Sequence, residues 1–424
     1  MRRLPHLAVA STLTIALAAC GAGGGEEEAD ATGSADLTLW LMEDSVPDAA
    51  QEWLVEEFES THEGSTLTVQ MQPWAGIVEL LQTSLPDSSQ TPDLVEIGNT
   101  QASTFTSVGA FSPVDEILED LGGDSLIESG LEAGTWEGTT YAPPLYAGSR
   151  IIFYRQDLLD AAGIEVPTTL DELNEAAVEL NEANPEDTDD FSGIYLASSD
   201  PKTLEGWLFT YGGDYATQQS DGTWEGALST PESLEGLRAA QELMEDGSEY
   251  VSDPNEAVPV AYELFNSGRI GFYSGLALKE YDIDDELWES GQAQVMALPG
   301  PDPETPGTTF AGGSNVAISA ASENQELSEE VLKLIYSPDF QTLLAEEAGW
   351  VPGNLDYADA LSGHSADPFQ DAVAHSQLTP NTPSWGVADS AQLPLEIWTR
   401  IADGEDVEDV AADVDAQLEE ILND

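Results

Sequence analysis

Aromatic and hydrogen-bonding residues stand together in the predicted loops of this sequence, where they offer binding chemistry. Flat aromatic rings pack on apolar C–H surfaces, while amide, hydroxyl and carboxylate groups at their edges bond to polar groups of a ligand. Most of these residues follow a predicted strand or adjoin Gly or Pro. The candidate ligand-binding residues are Trp74, Asn99, Thr100, Tyr146, Arg150, Trp207, Tyr211, Asp214, Gly312, Gly313, Trp350 and Trp385.

Several of these residues have a second interpretation. Arg150 is unusual because the sequence has only 10 Lys and Arg residues, and it could pair with a carboxylate instead of a ligand. Asn99 and Asp214 have side chains that commonly form local turns. Tryptophans inside strand or helix patterns are predicted to lie in the core: Trp40, Trp53 and Trp398.

No catalytic or metal-binding motif occurs in the sequence. It contains no H-E-x-x-H, P-loop or G-x-S-x-G pattern. His62, His364 and His375 lack the spacing of metal ligands, which favours structural roles. Glycoside hydrolysis needs two carboxylates roughly 5 to 9.5 Å apart, and 82 acidic residues make any such pair uninformative here. The sequence therefore predicts a protein that is not an enzyme and has no metal or cofactor.

The elements that position these residues alternate between strands and helices. Residues 37–41 and 93–99 are apolar runs typical of buried strands, and residues 67–72 alternate as a strand does. Helices are predicted after Pro47 and around residues 77–85. This order implies crossover connections and an α/β sheet flanked by helices, with ligands at the carboxyl ends of the strands.

A second group of elements follows along the chain. Thr168 or Thr169 can cap a helix that continues through Leu180, and Val407 to Ile421 repeat apolar residues at a helical spacing. The further predicted strands are 150–154, 269–275, 295–298 and 314–318.

The first residues indicate export. Arg2 and Arg3 precede an apolar stretch from Leu7 to Leu17 that is too short to span a bilayer, as in a secretory signal. The following L-A-A-C resembles the lipobox of bacterial lipoproteins, and lipidation would explain the single cysteine, Cys20. We therefore expect a cleaved signal peptide (1–19), a lipidated Cys20 with a flexible tether (20–35), and anchoring at the extracellular face of the cell membrane.

The net charge of -72 excludes a sequence-independent nucleic-acid binder, which needs cationic groups. The ordinary charged fraction of 22% and the 33 aromatic residues nevertheless indicate a folded chain. At about 1 M salt the Debye length is only about 3 Å, so salt would screen most of the self-repulsion. A salt-rich habitat is predicted, in preference to the alternative that the acids recognise a cationic substrate.

Blocks of sequence in a fixed order resemble an extracellular sugar-binding protein of an ABC importer, family 1. The resemblance covers the chain from about residue 36 to its end. It is carried by the lipobox and by W-L-M at 40–42, P-D-L-V-E-I-G-N-T-Q at 92–101, Y-A-P-P-L-Y-A-G-S-R at 141–150, I-I-F-Y-R-Q-D-L-L at 151–159, V-P-T-T-L-D-E-L at 166–173, F-N-S-G-R-I-G-F-Y-S-G at 265–275, F-A-G-G-S-N-V-A-I-S at 310–319 and G-W-V-P-G-N at 349–354.

The resemblance implies a two-lobed α/β clamp that closes on a sugar in the cleft between its lobes. By analogy, lobe one comprises residues 36–145 plus 270–345 and lobe two residues 146–269 plus 346–424. The implied partners are a small carbohydrate and the transmembrane permease subunits of an ABC importer, and a monomer is expected.

Within the family, W-L-M, G-N-T-Q and Y-A-G-S-R are most similar to proteins that bind chitobiose or N-acetylglucosamine. Two alternatives from other classes stay open at this point. One is a secreted glycoside hydrolase, and the other is a lipid-anchored adhesin that binds a polysaccharide surface.

Overall fold

The structure, a computed structural model, describes residues 34–185, 187–252 and 261–423. The strands within these ranges are β1 (Asp36–Met42), β2 (Thr66–Gln72), β3 (Leu94–Gly98), β4 (Thr135–Trp136), β5 (Thr139–Thr140), β6 (Pro144–Arg155), β7 (Ser192–Tyr195), β8 (Ala216–Gln218), β9 (Trp224–Gly226), β10 (Ile270–Leu276), β11 (Ala293–Met296), β12 (Thr309–Ile318), β13 (Val351–Pro352) and β14 (Ser376–Gln377).

Helices connect and cover these strands. The α-helices of the described residues are α1 (Asp48–Thr61), α2 (Ile77–Ser84), α3 (Ser103–Thr106), α4 (Leu118–Leu121), α5 (Glu128–Ala133), α6 (Gln156–Ala162), α7 (Leu170–Ala183), α8 (Pro201–Thr210), α9 (Pro231–Gly247), α10 (Ala261–Asn266), α11 (Asp285–Glu289), α12 (Gln325–Ile335), α13 (Pro338–Leu343), α14 (Ala366–Ala374), α15 (Trp385–Ser390), α16 (Leu393–Ala402) and α17 (Val407–Leu422).

One large sheet runs through the molecule in the order β2-β1-β3-β12-β6-β10-β7. β1 pairs in parallel with β2 and β3, which is the arrangement that the alternating strands and helices predict. The 12-residue strand β6 changes partners along its length. Its first half pairs with β12 and its second half with β10 and β11, so it links the two halves of the sheet.

The described residues form four hydrophobic clusters, and we name lobe one and lobe two after the two clusters that lie on different halves of the sheet. In lobe one, Leu39, Leu54 and Phe58 pack with Val316 and Val331, so α1 and α12 cover the first half of the sheet. In lobe two, buried side chains of α7, α8, α16 and α17 pack on β10: Leu173, Trp207, Phe272, Trp398 and Val414. Each core joins helices that are distant in sequence, so each lobe is assembled from several segments of the chain.

Two helices begin where local sequence signals predict. The Thr169 hydroxyl oxygen accepts a hydrogen bond from the Glu172 N–H, and the Thr169 N–H donates to the Glu172 carboxylate, so this capping box begins α7 as predicted. α17 begins at the predicted residue and buries Val407, Val410, Val414 and Leu418 along one face.

Two strands are longer than the sequence predicts. β6 begins at Pro144 instead of Arg150, because Pro is tolerated as the first residue of a strand. β12 begins at Thr309 instead of Ser314 and includes the Gly pair. At Gly313 a Cβ atom would lie 2.2 Å from the Tyr146 carbonyl oxygen, so glycine lets the two strands approach. The predicted lobe boundaries stay a prediction, and β6 crosses the first of them, between residues 145 and 146.

Candidate functional site

Seven of the predicted site residues line one cavity of about 570 Å³: Trp74, Asn99, Thr100, Tyr146, Gly312, Gly313 and Trp350. Two further cavities adjoin it. One of about 790 Å³ shares Asn99 and Thr100 and adds Asp214, and one of about 530 Å³ shares Trp74 and Thr100 and adds Trp385. We call these three cavities together the cleft. Both lobes contribute to its walls, because Tyr146 belongs to the core of lobe one and Trp385 to that of lobe two.

An aromatic pair forms the floor of the first cavity. The rings of Tyr146 and Trp350 are stacked, with centroids 5.1 Å apart and planes inclined by 21°. The short strand β13 pairs with β6 so that Val351 lies opposite Ala147, which brings Trp350 beside Gly148. A Cβ atom at Gly148 would lie 2.7 Å from the Trp350 ring, so glycine leaves the space that this ring occupies. The pair presents a flat apolar surface at the cavity.

The end of β3 supplies polar groups to the same cavity. The Asn99 Nδ2 donates to the Ala311 carbonyl at 3.0 Å, and its Oδ1 accepts from the Thr100 N–H at 2.9 Å. Asn99 therefore forms the local turn that was one of its two predicted roles, while it also lines the cavity. Thr100 is exposed and lines all three cavities.

Asp214 likewise forms a local hydrogen bond and lines the second cavity. Its Oδ1 accepts from the Tyr215 N–H at 2.7 Å, and its carboxyl group lies at the wall of the second cavity. Burial raises the pKa of Asp214 to about 6, against the effect of hydrogen bonds from two backbone N–H groups. At neutral pH this side chain can accept hydrogen bonds from ligand hydroxyl groups.

The remaining predicted residues differ in position. Trp207 is completely buried in the core of lobe two, where its Nε1 donates to the Asn174 Oδ1 at 2.9 Å, and the Tyr211 hydroxyl donates to Asp171. The Arg150 Nη2 bonds the Asp200 Oδ1 at 2.9 Å, which is the ion pair that the sequence left as an alternative. These residues do not line the three cavities.

Several tryptophans and histidines pack in structural positions. Trp385 lines the third cavity but is only 3% exposed, so most of its surface is core. Trp40 and Trp398 are buried as predicted, and Trp53 packs partly against the core of lobe one. His364 stacks on Trp288, away from the cleft. Within the described ranges, His, Cys, Asp and Glu form no group that could hold a metal ion.

Sequence reasoning missed several residues of the cleft. Glu43 and Asp44 line the first cavity, and the signal for them is their position just after a parallel strand, where ligands bind in open sheets. Lys202 and Phe310 line the third cavity, with the Lys202 ammonium 3.8 Å from the centre of the Phe310 ring. Local sequence holds no signal for that contact, because it joins lobe two to β12.

The cationic groups of the described residues are already paired. Arg2 and Arg3 lie outside these ranges, and each of the other eight Lys and Arg side chains forms an ion pair with a carboxylate. The eight are Arg150, Arg155, Lys202, Arg238, Arg269, Lys279, Lys333 and Arg400. A neutral ligand suits such a cleft better than an anionic one, since the described residues offer no unpaired Lys or Arg.

A sequence profile that describes bacterial extracellular solute-binding proteins matches residues 43–342. The chain belongs to this family. Among its relatives, the diacetylchitobiose-binding protein DasA of Streptomyces coelicolor is 27% identical over 411 residues, covering 93% of this chain and 91% of DasA. The predicted family and the predicted similarity to chitobiose-binding proteins are therefore confirmed.

Solved structures of sugar-binding proteins share the fold. MalE of Xanthomonas citri superposes with a TM-score of 0.78 at 20% identity, covering 91% of this chain and 97% of MalE. The GacH receptor of Streptomyces glaucescens, solved unliganded and with acarbose, superposes with a TM-score of 0.70 at 20% identity, covering 93% of this chain and 100% of GacH. The predicted two-lobed α/β fold of this solute-binding family member is confirmed.

The predicted signal peptide and Cys20 lie outside the described residues. Across the ranges that the structure describes, we find no helix with the length and apolar character needed to cross a bilayer.

Proposed function

We propose that this solute-binding protein captures a carbohydrate, from a mono- to an oligosaccharide, in the cleft and delivers it to an ABC import permease. The observation that carries the proposal is the stacked pair of Tyr146 and Trp350 at the cleft floor, with Thr100 and the Asn99 turn beside it. A pyranose has an apolar C–H face and a rim of hydroxyl groups. A flat aromatic surface with hydrogen-bonding groups at its edge matches both.

The size and charge of the cleft support a neutral saccharide. The three adjoining cavities, each between about 530 and 790 Å³, have room for more than one sugar ring. Carboxylates, including Glu43 and Asp44, line the cleft, and they can accept hydrogen bonds from hydroxyl groups. The proposed ligand contacts are Trp74, Asn99, Thr100, Tyr146, Asp214, Gly312, Gly313, Trp350 and Trp385.

Chitobiose or N-acetylglucosamine is the proposed ligand within this class. The support is the relationship to DasA, which is named for binding diacetylchitobiose.

The wider setting of the protein is also part of the proposal. Lipidation of Cys20 would hold the protein at the outer face of the cell membrane, close to the permease subunits that receive the sugar. We propose a monomer that works without a cofactor. The net charge of -72 supports a salt-rich habitat, where screening reduces self-repulsion.

Calorimetric titration in high salt tests the proposed ligand. Diacetylchitobiose, cellobiose, maltose and trehalose are each added to the purified protein. We expect diacetylchitobiose to bind with one site per chain. Binding of an unrelated glucoside alone would reject the chitin sugar, and the absence of binding by any saccharide would reject the proposed function.

The same samples distinguish the other classes of protein. Release of reducing sugar during incubation would identify a glycoside hydrolase, whereas a binding protein leaves the saccharide unchanged. Retention on insoluble polysaccharide without binding of short sugars would identify an adhesin.

A further inference from the structure

Glu96 is a buried carboxylate in the middle of β3, and it lies behind the cleft. Its side chain is completely inaccessible to solvent. Its Oε2 accepts from the Met42 N–H at 2.8 Å and from the Ser45 hydroxyl at 2.7 Å, and its Oε1 accepts from the Ser314 hydroxyl at 2.6 Å. The carboxyl group also interacts with the Tyr146 hydroxyl. Within the described residues it has no Lys or Arg partner, so only neutral groups compensate its burial.

The strand register brings these groups together. Tyr146 of β6 lies opposite Ser314 of β12, and Ser314 lies opposite Gly98 of β3. Side chains two residues apart along a strand point to the same face, so Glu96, Ser314 and Tyr146 share one face of the sheet. Met42 ends β1, the neighbouring strand, and its N–H points to the same carboxylate.

Each donor belongs to a segment that forms the cleft. Met42 and Ser45 flank Glu43 and Asp44, which line the first cavity. Ser314 directly follows Gly312 and Gly313, which line the same cavity. Tyr146 is itself one ring of the aromatic floor. One carboxyl group therefore connects a loop, a strand and the aromatic pair.

We infer that Glu96 is a positioning residue, which holds the 43–45 loop, the Gly312–Ser314 strand and the Tyr146 ring in the geometry that binds ligand. This inference rests on the proposed function, but it adds a residue that does not line the cleft cavities. A carboxylate suits the role because both oxygens only accept hydrogen bonds, and all four neighbours can donate. Alanine at this position would leave the Met42 N–H and the Ser314 hydroxyl without this acceptor.

Asp93 provides a matched control on the same segment of chain. It is also buried, and it accepts hydrogen bonds from the Thr38 N–H at 2.8 Å, the Ser322 hydroxyl at 2.5 Å and the Asn324 Nδ2 at 3.0 Å. It precedes β3, at the end of the strand away from the cleft. Losing this carboxylate should therefore destabilise lobe one without changing the walls of the cleft.

The experiment compares Glu96→Ala with Asp93→Ala by sugar titration, urea unfolding and near-ultraviolet circular dichroism. We expect Glu96→Ala to weaken sugar binding by about tenfold or more, and Asp93→Ala to change it by less than about twofold. Glu96→Gln keeps one acceptor oxygen for the Met42 N–H and should recover a large part of the lost affinity. Equal losses of affinity in the two alanine variants, or unchanged binding in Glu96→Ala, would overturn the inference.

Two measurements keep the inference testable if other steps fail. If Glu96→Ala does not fold, Ser314→Ala replaces it in the experiment. This variant removes one donor to Glu96 from a well-formed strand, and we expect it to weaken sugar binding by about threefold. The near-ultraviolet signal of the stacked Tyr146 and Trp350 rings needs no ligand. It should weaken in Glu96→Ala and persist in Asp93→Ala, even if the wild-type protein binds no saccharide. A signal that is the same in both variants would contradict the positioning role.

Discussion

The two lobes each bury a glutamate beside the cleft, but they stabilise it in different ways. Glu96 of lobe one accepts hydrogen bonds from backbone and hydroxyl groups of two strands and of the 43–45 loop. Glu205 of lobe two is bonded by the Lys202 ammonium at 3.0 and 3.2 Å and by the Tyr215 hydroxyl at 3.1 Å. Burial raises the pKa of both carboxyl groups.

The two buried glutamates differ in which groups donate hydrogen bonds to them. Glu96 depends on groups that are themselves part of the sheet or its adjoining loop. Glu205 depends on Lys202, a side chain that is 37% exposed at the cleft and also lies over the Phe310 ring. A ligand that contacts Lys202 would therefore touch the ionic partner of Glu205, whereas Glu96 has no charged partner among the described residues.

The largest effect is expected from removing the cation of lobe two. Lys202→Met keeps the apolar stem but leaves Glu205 buried without its ionic partner, and we expect a loss of about 3 kcal/mol in the free energy of unfolding at pH 7. Urea unfolding measures it. The double variant Lys202→Met/Glu205→Gln should recover most of the loss. If Lys202→Met were as stable as the wild type, Glu205 would not depend on its ionic partner, and this difference between the lobes would be excluded.

A pH experiment extends the comparison to Asp214, which also has only neutral donors. Its folded pKa of about 6 exceeds the usual 3.8, so the folded state binds the proton more tightly. Stability should fall as pH rises from about 4 to about 6, by about 2 kcal/mol in total. Asp214→Asn should show a decrease that is smaller by this amount when unfolding is measured at pH 4, 5, 6 and 7. Parallel curves for variant and wild type would exclude a raised pKa.

The aromatic floor should matter for binding more than for stability. Trp350→Ala removes the ring that stacks on Tyr146, and we expect sugar affinity to fall by about tenfold, or about 1.4 kcal/mol. Trp288→Ala is the matched control, since Trp288 stacks on His364 outside the cleft. Calorimetry should find normal affinity in the control. A similar loss in both variants would point to general destabilisation.

Sequence reasoning predicted the elements whose signals are local. The apolar periodicity of α17, the capping box of α7 and the buried run of β1 each depend on residues close together in the chain. The starts of β6 and β12 were not predicted, because Pro144 and Gly313 are turn signals in sequence but fit a strand once a neighbouring strand lies beside them.

The residues of the cleft were also predicted only where the local sequence carries a signal. Trp74, Asn99 and Tyr146 follow strand signals or a Pro pair, and the fold brings them together. Trp207 looked similar in sequence, since it precedes a Gly-Gly pair, but it faces the core from helix α8. Glu96 carried no local signal at all, because its partners come from β1, β6 and β12.

We expect both lobes to contact one sugar at the same time, so that binding favours a closed arrangement. Small-angle X-ray scattering in high salt, with and without the saccharide that calorimetry identifies, measures this most directly. We expect a smaller radius of gyration at saturation with ligand. An unchanged radius while the sugar is demonstrably bound would contradict it.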